Sequence, residues 1–305
     1  MRKILICTLI VIFAATALVS AQSGADMTVL DKTTAVEKIV YGAEQTGSLV
    51  ERVSKIEKDM YGTETKDALV TKVDRVYGYI KESSPATPSF AIKLNAVEWV
   101  LTHDLTAQPV KTRIENLERV MFGNPTQGSF DGRLTKLVKL AFPDGQLEVA
   151  ASSIAKDSLI KIKITTKLDT KSSRAGDPVE FQVLDDVYSG GLLVIGKGSP
   201  GVGKVTKVEP AKNFGRDAKL EVSFDNVIAI DGTTIDTFLG EKAKEETKSL
   251  ATAAGATVAG LVILGPIGIV GGAFVQGQDV TIPAGTMLYI QTKSDAEVYG
   301  IKTSK

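Results

Sequence analysis

The chain has 305 residues, with 36 Lys and Arg against 36 Asp and Glu. That length allows two domains with a proper core, and the charge balance excludes a polybasic nucleic-acid binder and a fully disordered chain. A single cysteine, Cys7, and a single histidine, His103, remove most thiol, zinc and imidazole chemistry.

Residues 1–21 read as a secretory signal peptide. Arg2 and Lys3 form the basic start, Ile4 to Val19 the apolar stretch, and Val19-Ser20-Ala21 a small-residue cleavage site. An uncleaved N-terminal anchor is the alternative, because the apolar stretch is nearly long enough to span a bilayer. Cleavage takes away two basic side chains and Cys7, leaving 34 basic residues against 36 acidic. Export without disulfides is ordinary for a bacterial envelope protein, so the expected location is the periplasm or the outer membrane.

Residues 22–145 form a helical repeat region. Three copies are evident: Val36 to Val53, Ile56 to Val73 and Leu117 to Leu134. Each carries an apolar residue followed by Glu (Glu37, Glu57, Glu118) and, four residues later, an aromatic-glycine pair: Tyr41-Gly42, Tyr61-Gly62, Phe122-Gly123. The pattern predicts a short amphipathic helix closed by glycine, a polar loop, and a second helix with apolar residues four apart. The aromatic in the last turn is expected to pack against the next helix. Tyr77-Gly78 looks like a truncated further copy, and Ser83 to Pro88 reads as a linker. Two readings stand: an array presenting a partner-binding face, or a plain bundle or spacer whose aromatics are core. The short units favour the second, and Glu and Lys at i, i+4 spacing most simply make a solvated face.

Residues 146–305 change to strand alternation. Strands are expected at Leu159–Ile164, Val179–Leu184, Leu192–Ile195, around Val205–Val208, over Leu220, Val222 and Phe224, and near residues 286–291 and 297–302. Ile230-Asp231-Gly232-Thr233 is a hairpin signal. The fold class is therefore α+β: short helical repeats, then an antiparallel β-sandwich or small barrel. Into it is inserted an uncharged run, residues 249–278, in which small residues recur four apart, as in Ala251/Gly255, Ala256/Gly260 and Gly268/Gly272. Gly265-Pro266 interrupts it, which predicts two short helices in a hairpin. Gly255, Gly260, Gly265, Pro266, Gly268 and Gly272 are the expected membrane or oligomer contacts; the other reading buries the hairpin on the sheet.

Gly196 to Gly201 matches G-x-G-x-x-G, and Gly198 to Lys204 most of a phosphate-binding loop. Both need a helix after the loop, and Val205-Thr206-Lys207-Val208 reads as a strand, with Val205 where the magnesium-binding hydroxyl belongs. His103 reads as a structural or surface histidine, and Asp185-Asp186 as a solvated acidic pair. No catalytic, cofactor or metal set is expected, and the chain reads as a non-enzymatic structural or assembly protein or a soluble periplasmic binding module. The partners expected are envelope proteins or cell-wall polymer, with membrane or self-association open.

The β region resembles a domain of uncharacterised exported bacterial envelope proteins, on Ala175 to Phe181, Val194 to Gly198, Gly203-Lys204-Val205 and Ile282-Pro283-Ala284-Gly285-Thr286. The helical copies resemble the tandem aromatic-glycine units of some such proteins. More distantly, a β-barrel with an apolar hairpin between strands is similar in architecture to the channel-forming subunit of type IV secretion systems. That resemblance implies a hairpin crossing the outer membrane as part of a ring.

Overall fold

The computed structural model describes residues 27–209, 218–253, 262–263, 269–270 and 280–303. The expected signal peptide and most of the run 249–278 lie outside them. Six helices of nearly equal length come first: α1 (Val29–Tyr41), α2 (Leu49–Tyr61), α3 (Leu69–Lys81), α4 (Phe90–Thr102), α5 (Val110–Phe122) and α6 (Phe130–Ala141). Thr28, Ser48, Ser89 and Ser129 cap their N-termini by accepting a hydrogen bond from the amide three residues on. Gly42, Gly62 and Gly123 close α1, α2 and α5 in the left-handed conformation, with φ of 87°, 82° and 83°.

The repeat thus has six copies, three more than its aromatic-glycine signature reveals. They form two three-helix units, each helix of the second starting 61 residues after its counterpart: Val29/Phe90, Leu49/Val110, Leu69/Phe130. Within the units α1 lies against α3, and α4 against α6. One core joins both units, with Val40, Met60, Ile80, Phe90, Ile114 and Leu137 at its centre. The aromatic-glycine signature is missing from α3 and α4, where Lys81 and Thr102 stand at the aromatic position, and from α6, where Pro143 follows Phe142.

The β part follows in chain order: β1 (Val149–Ile154), β2 (Leu159–Ile164), β3 (Leu168–Asp169), β4 (Pro178–Val183), β5 (Val187–Ser189), β6 (Leu192–Ile195), β7 (Pro200–Glu209), β8 (Lys219–Val222), β9 (Asn226–Ile228), β10 (Thr234–Phe238), α7 (Glu241–Ala253), β11 (Val262–Ile263), β12 (Ile269–Val270), β13 (Thr281–Ile282), β14 (Met287–Thr292) and β15 (Ala296–Ile301). Six of these close a ring, β7-β4-β2-β14-β10-β9, with β9 returning to β7 through Gly201↔Val227 and Val202↔Asn226. Of the two architectures expected, the barrel is the one formed. Strict alternation in β2 sends Ile160, Ile162 and Ile164 inward, and Phe181 meets Phe224 edge-on with ring centres 5.5 Å apart. A second antiparallel sheet, β1-β15-β6-β5, has two apolar faces. Val194, Ile195 and Val298 join the barrel core, while Val149, Leu193 and Ile301 face α4.

Where it is described, the inserted run has two short strands in place of the two helices expected. Its described residues are the last turns of α7 and the strands β11 and β12, which pair with each other and reach β8 at Ile269↔Leu220. At these positions Val262, Ile263, Ile269 and Val270 are β-branched, and such side chains fit a pleated strand better than a helix. Among the described residues, no helix is long and apolar enough to cross a membrane. Helix α7 instead covers the part of β14 that β10 leaves unpaired: Thr247 Oγ1 accepts from the Tyr289 amide at 2.9 Å, and Gln291 Oε1 from the Ala243 amide at 2.9 Å.

Candidate functional site

Successive helices are joined by buried charge. Glu37 accepts two hydrogen bonds from Arg52, at 2.9 and 2.6 Å, and one from the Gln45 amide. Glu118 repeats this with Arg133 and Thr126, and Glu98 with Arg113 and Thr106. Glu57 takes Lys72, Arg75 and Thr65. The carboxylates of Glu37, Glu57 and Glu118 are at most 1% exposed, so these glutamates are not part of a solvated face. Burial alone would raise the Glu118 carboxyl; hydrogen bonds from Arg133 and Thr126 outweigh it and hold the group below its ordinary value. The chain of pairs stops between α3 and α4, where Tyr77 stands in the place of the glutamate and Lys93 lies 5.7 Å from the Tyr79 ring centre.

The aromatic-glycine residues take different places. The Tyr41 hydroxyl donates to Asp59 at 2.7 Å, with the Lys55 ammonium 3.9 Å from the ring centre. Tyr61 packs 5.5 Å from Tyr79, and its buried hydroxyl has no hydrogen-bond partner among the described residues. Phe122 is 43% exposed. Gly42, Gly62 and Gly123 are the helix ends already described. Gly255, Gly260, Gly265, Pro266, Gly268 and Gly272 lie outside the described residues.

Helix α4 belongs to two cores. Phe90, Leu94 and Val97 enter the six-helix core, while Ile92, Ala96 and Trp99 join Leu105, Val149, Leu193, Ile230 and Ile301 in a seam against the small sheet. A helix apolar on both faces loses its amphipathic pattern, which is why α4 is hard to read in the sequence. Polar bonds fix the seam at its edges. The Trp99 indole donates to Asp186 at 2.9 Å, Asp186 also accepts from the Lys197 amide at 2.7 Å, and Asn95 donates to the Ile230 carbonyl at 2.7 Å. The expected solvated acid Asp186 is therefore a structural clasp. His103 ends α4 in the left-handed conformation with its ring edge-on to Trp99.

Of the dinucleotide-like glycines, Gly196 and Gly198 serve this seam and Gly201 the barrel core. The loop leads into β7, as its sequence context requires, and its glycines make room for packing. A Cβ on Gly198, where φ is 83°, would overlap the backbone of Leu105, whose amide donates to the Lys197 carbonyl at 2.8 Å. A Cβ on Gly201 would overlap the Phe181 ring.

Beside the seam is a cleft of about 240 Å³ between α3, α4, the 105–110 loop and the barrel turns at Ser199-Pro200 and 228–232. Its walls are mostly apolar, and the charged side chains lining it are Lys81 and Arg113. Arg113 is neutralised by Glu98. Lys81 Nζ donates to the Gly232 carbonyl at 3.1 Å; burial pushes its ammonium below the ordinary lysine value, and Asp231 offsets this in part. Sequence reasoning passed over Lys81. The signal was there: it occupies the position that holds Tyr41, Tyr61 and Phe122 in other copies. Among the described residues, no group of three or more His, Cys, Asp or Glu is placed to hold a metal ion.

No family model matches the chain, and no curated protein matches it. Among solved structures, it is similar to ComB10 of the Com type IV secretion system of Helicobacter pylori, at 19% identity over 47% of this chain and 89% of that chain, with a TM-score of 0.27. The likeness to type IV secretion components that the sequence suggests is thus a distant one.

Proposed function

We propose that the chain is a non-enzymatic protein of the cell envelope, exported through residues 1–21, whose helical region (22–145) and β domain (146–305) act as one body and hold a ligand or partner in the cleft between them. The observation that carries this reading is the double membership of α4, which sets the cleft walls without a hinge. Ligand sites favour such junctions, where apolar walls meet a few placed polar groups. The groups that the sequence offered for acid-base work support a structural role: His103 packs on Trp99, and Asp186 is spent on the indole and an amide. In the same reading, the uncharged run 249–278 attaches the protein to a membrane or to further copies through its four-apart small residues.

The test is cell fractionation of the full chain and of a variant lacking residues 249–278, with a carbonate wash. The full chain is expected in the carbonate-resistant pellet and the deletion variant in the exported soluble fraction. Retention of the full chain in the cytoplasm would overturn the envelope assignment, and its release by carbonate would remove the membrane attachment.

A further inference from the structure

We propose that the cleft between α3, α4 and the barrel binds small monocarboxylates, a carboxylate on a short aliphatic or aromatic body, with Lys81 receiving the charge. The inference rests on reading the cleft as a ligand site and adds the ligand's chemical class.

The charge inventory is one-sided. Among the described residues Lys81 and Arg113 line the cleft, and no aspartate or glutamate does. Arg113 is satisfied by Glu98 and by the Asn95 side-chain oxygen at 2.6 Å. Lys81 is not. Its hydrogen bond goes to one backbone carbonyl, and among the described residues no carboxylate oxygen lies within 4.0 Å of it. An ammonium has three donors, so two remain for a ligand or water. The nearby Asp231 is committed elsewhere, accepting from the Thr233 amide at 2.9 Å and the Tyr299 amide at 2.7 Å. A partly buried cation that makes no ion pair, with Asp231 near but bonded elsewhere, favours an anion that can bond it directly, and burial's downward push on its proton affinity points the same way.

The rest of the cleft sets the body. Ile80, Phe90, Leu94, Leu105 and Ile228 supply apolar wall. The cleft volume of about 240 Å³ leaves room for a six-carbon chain or one aromatic ring.

The experiment uses the full chain, isotope-labelled, titrated with hexanoate, benzoate, hexan-1-ol and hexylamine while the amides of Ala107, Ala229 and Gly232 are followed by NMR. Hexanoate and benzoate are expected to shift these amides saturably, hexylamine not to, and Lys81→Met to weaken the carboxylates at least tenfold while leaving hexan-1-ol unchanged. A measurement independent of any variant is the Lys81 Cε shift against pH. The Lys81 pKa is expected to rise when hexanoate saturates the cleft and to stay in place with hexan-1-ol. If hexan-1-ol binds as tightly as hexanoate, or the Lys81 pKa does not respond, the carboxylate assignment is overturned and the cleft survives as a neutral ligand site. If none of the four probes moves the cleft amides, the small-ligand reading of the cleft falls as well.

Discussion

Replacing Glu118 with alanine removes the acceptor that ties α5 to α6. The carboxylate is 1% exposed and accepts two bonds from the Arg133 guanidinium, at 2.9 and 2.7 Å, and two from Thr126, at 2.8 and 2.5 Å. Arg133 itself is 7% exposed, so alanine leaves a buried cation without its partner. Charge-assisted bonds contribute about 1.5–3 kcal/mol each, and two of them give about 3–6. Breaking a buried pair from one side costs about 3–5 kcal/mol, and the two routes agree. Urea unfolding followed by circular dichroism should show that loss for Glu118→Ala. The double variant Glu118→Leu/Arg133→Met should recover most of it, because well-packed apolar side chains replace a buried pair at little cost. Glu148→Gln, in the exposed pair with Lys302, provides the control and should stay below about 1 kcal/mol. A Glu118→Ala loss no larger than this control, or a double variant as unstable as the sum of its singles, would refute the reasoning.

Acid should weaken the same helices. The Glu118 and Glu57 carboxyls are held below their ordinary value of 4.5 in the fold, so their stabilisation is complete above that value and is lost as pH falls through the folded pKa. Melting temperature should therefore decline below about pH 4.5 and decline less steeply in Glu118→Gln; a rise on acidification would contradict the assignment. At the seam, Gly198→Ala and Gly123→Ala make a matched pair, because both glycines have φ of 83° and only Gly198 has neighbours where the Cβ would stand. Thermal denaturation should show about 1 kcal/mol lost at Gly123 and about 1–3 kcal/mol more at Gly198 from overpacking. Equal losses would mean that Leu105 does not seat there. Trp99 is the single tryptophan and is 8% exposed, so its fluorescence reports the seam directly. Asp186→Ala should shift its emission and cost about 1–3 kcal/mol; unchanged emission would show the indole bond to be incidental.

The strands were legible because a half-buried strand shows its inner face every second residue, as in Ile160, Ile162 and Ile164. Five of the six repeat helices were touched by the copies Val36–Val53, Ile56–Val73 and Leu117–Leu134, and α4 was hidden. The repeat signature is a helix end, aromatic then glycine, and α3 and α4 end instead in Lys81 and in Thr102-His103. The truer signature is a glutamate and a basic residue 15 positions later: Glu37/Arg52, Glu57/Lys72, Glu98/Arg113 and Glu118/Arg133. That spacing spans a loop, so no periodicity within one helix displays it. The cleft was invisible for a related reason. Lys81 and Gly232 are 151 positions apart, and only the seam brings them together. Ring closure was equally hidden, because the return of β9 to β7 rests on two residue pairs without a pattern of their own.

The two allegiances of α4 bear on how this chain can exchange parts with others. A cut between α6 and β1 looks like the natural place to recombine, since helices end there and strands begin. Such a chimera would carry Ile92, Ala96 and Trp99 away from the sheet they cover and leave Val149, Leu193 and Ile301 bare on the other product. Both halves would meet water with an apolar stripe. A cut before Ser89 is no better, although the buried charge pairs of α1 to α3 begin and end within those helices, because Val40, Met60 and Ile80 share one core with Phe90, Ile114 and Leu137. Grafting experiments, and lineages that shuffle such segments, should therefore find failures both at the turn before Ser89 and at residue 145, and should exchange the described helices and strands only together.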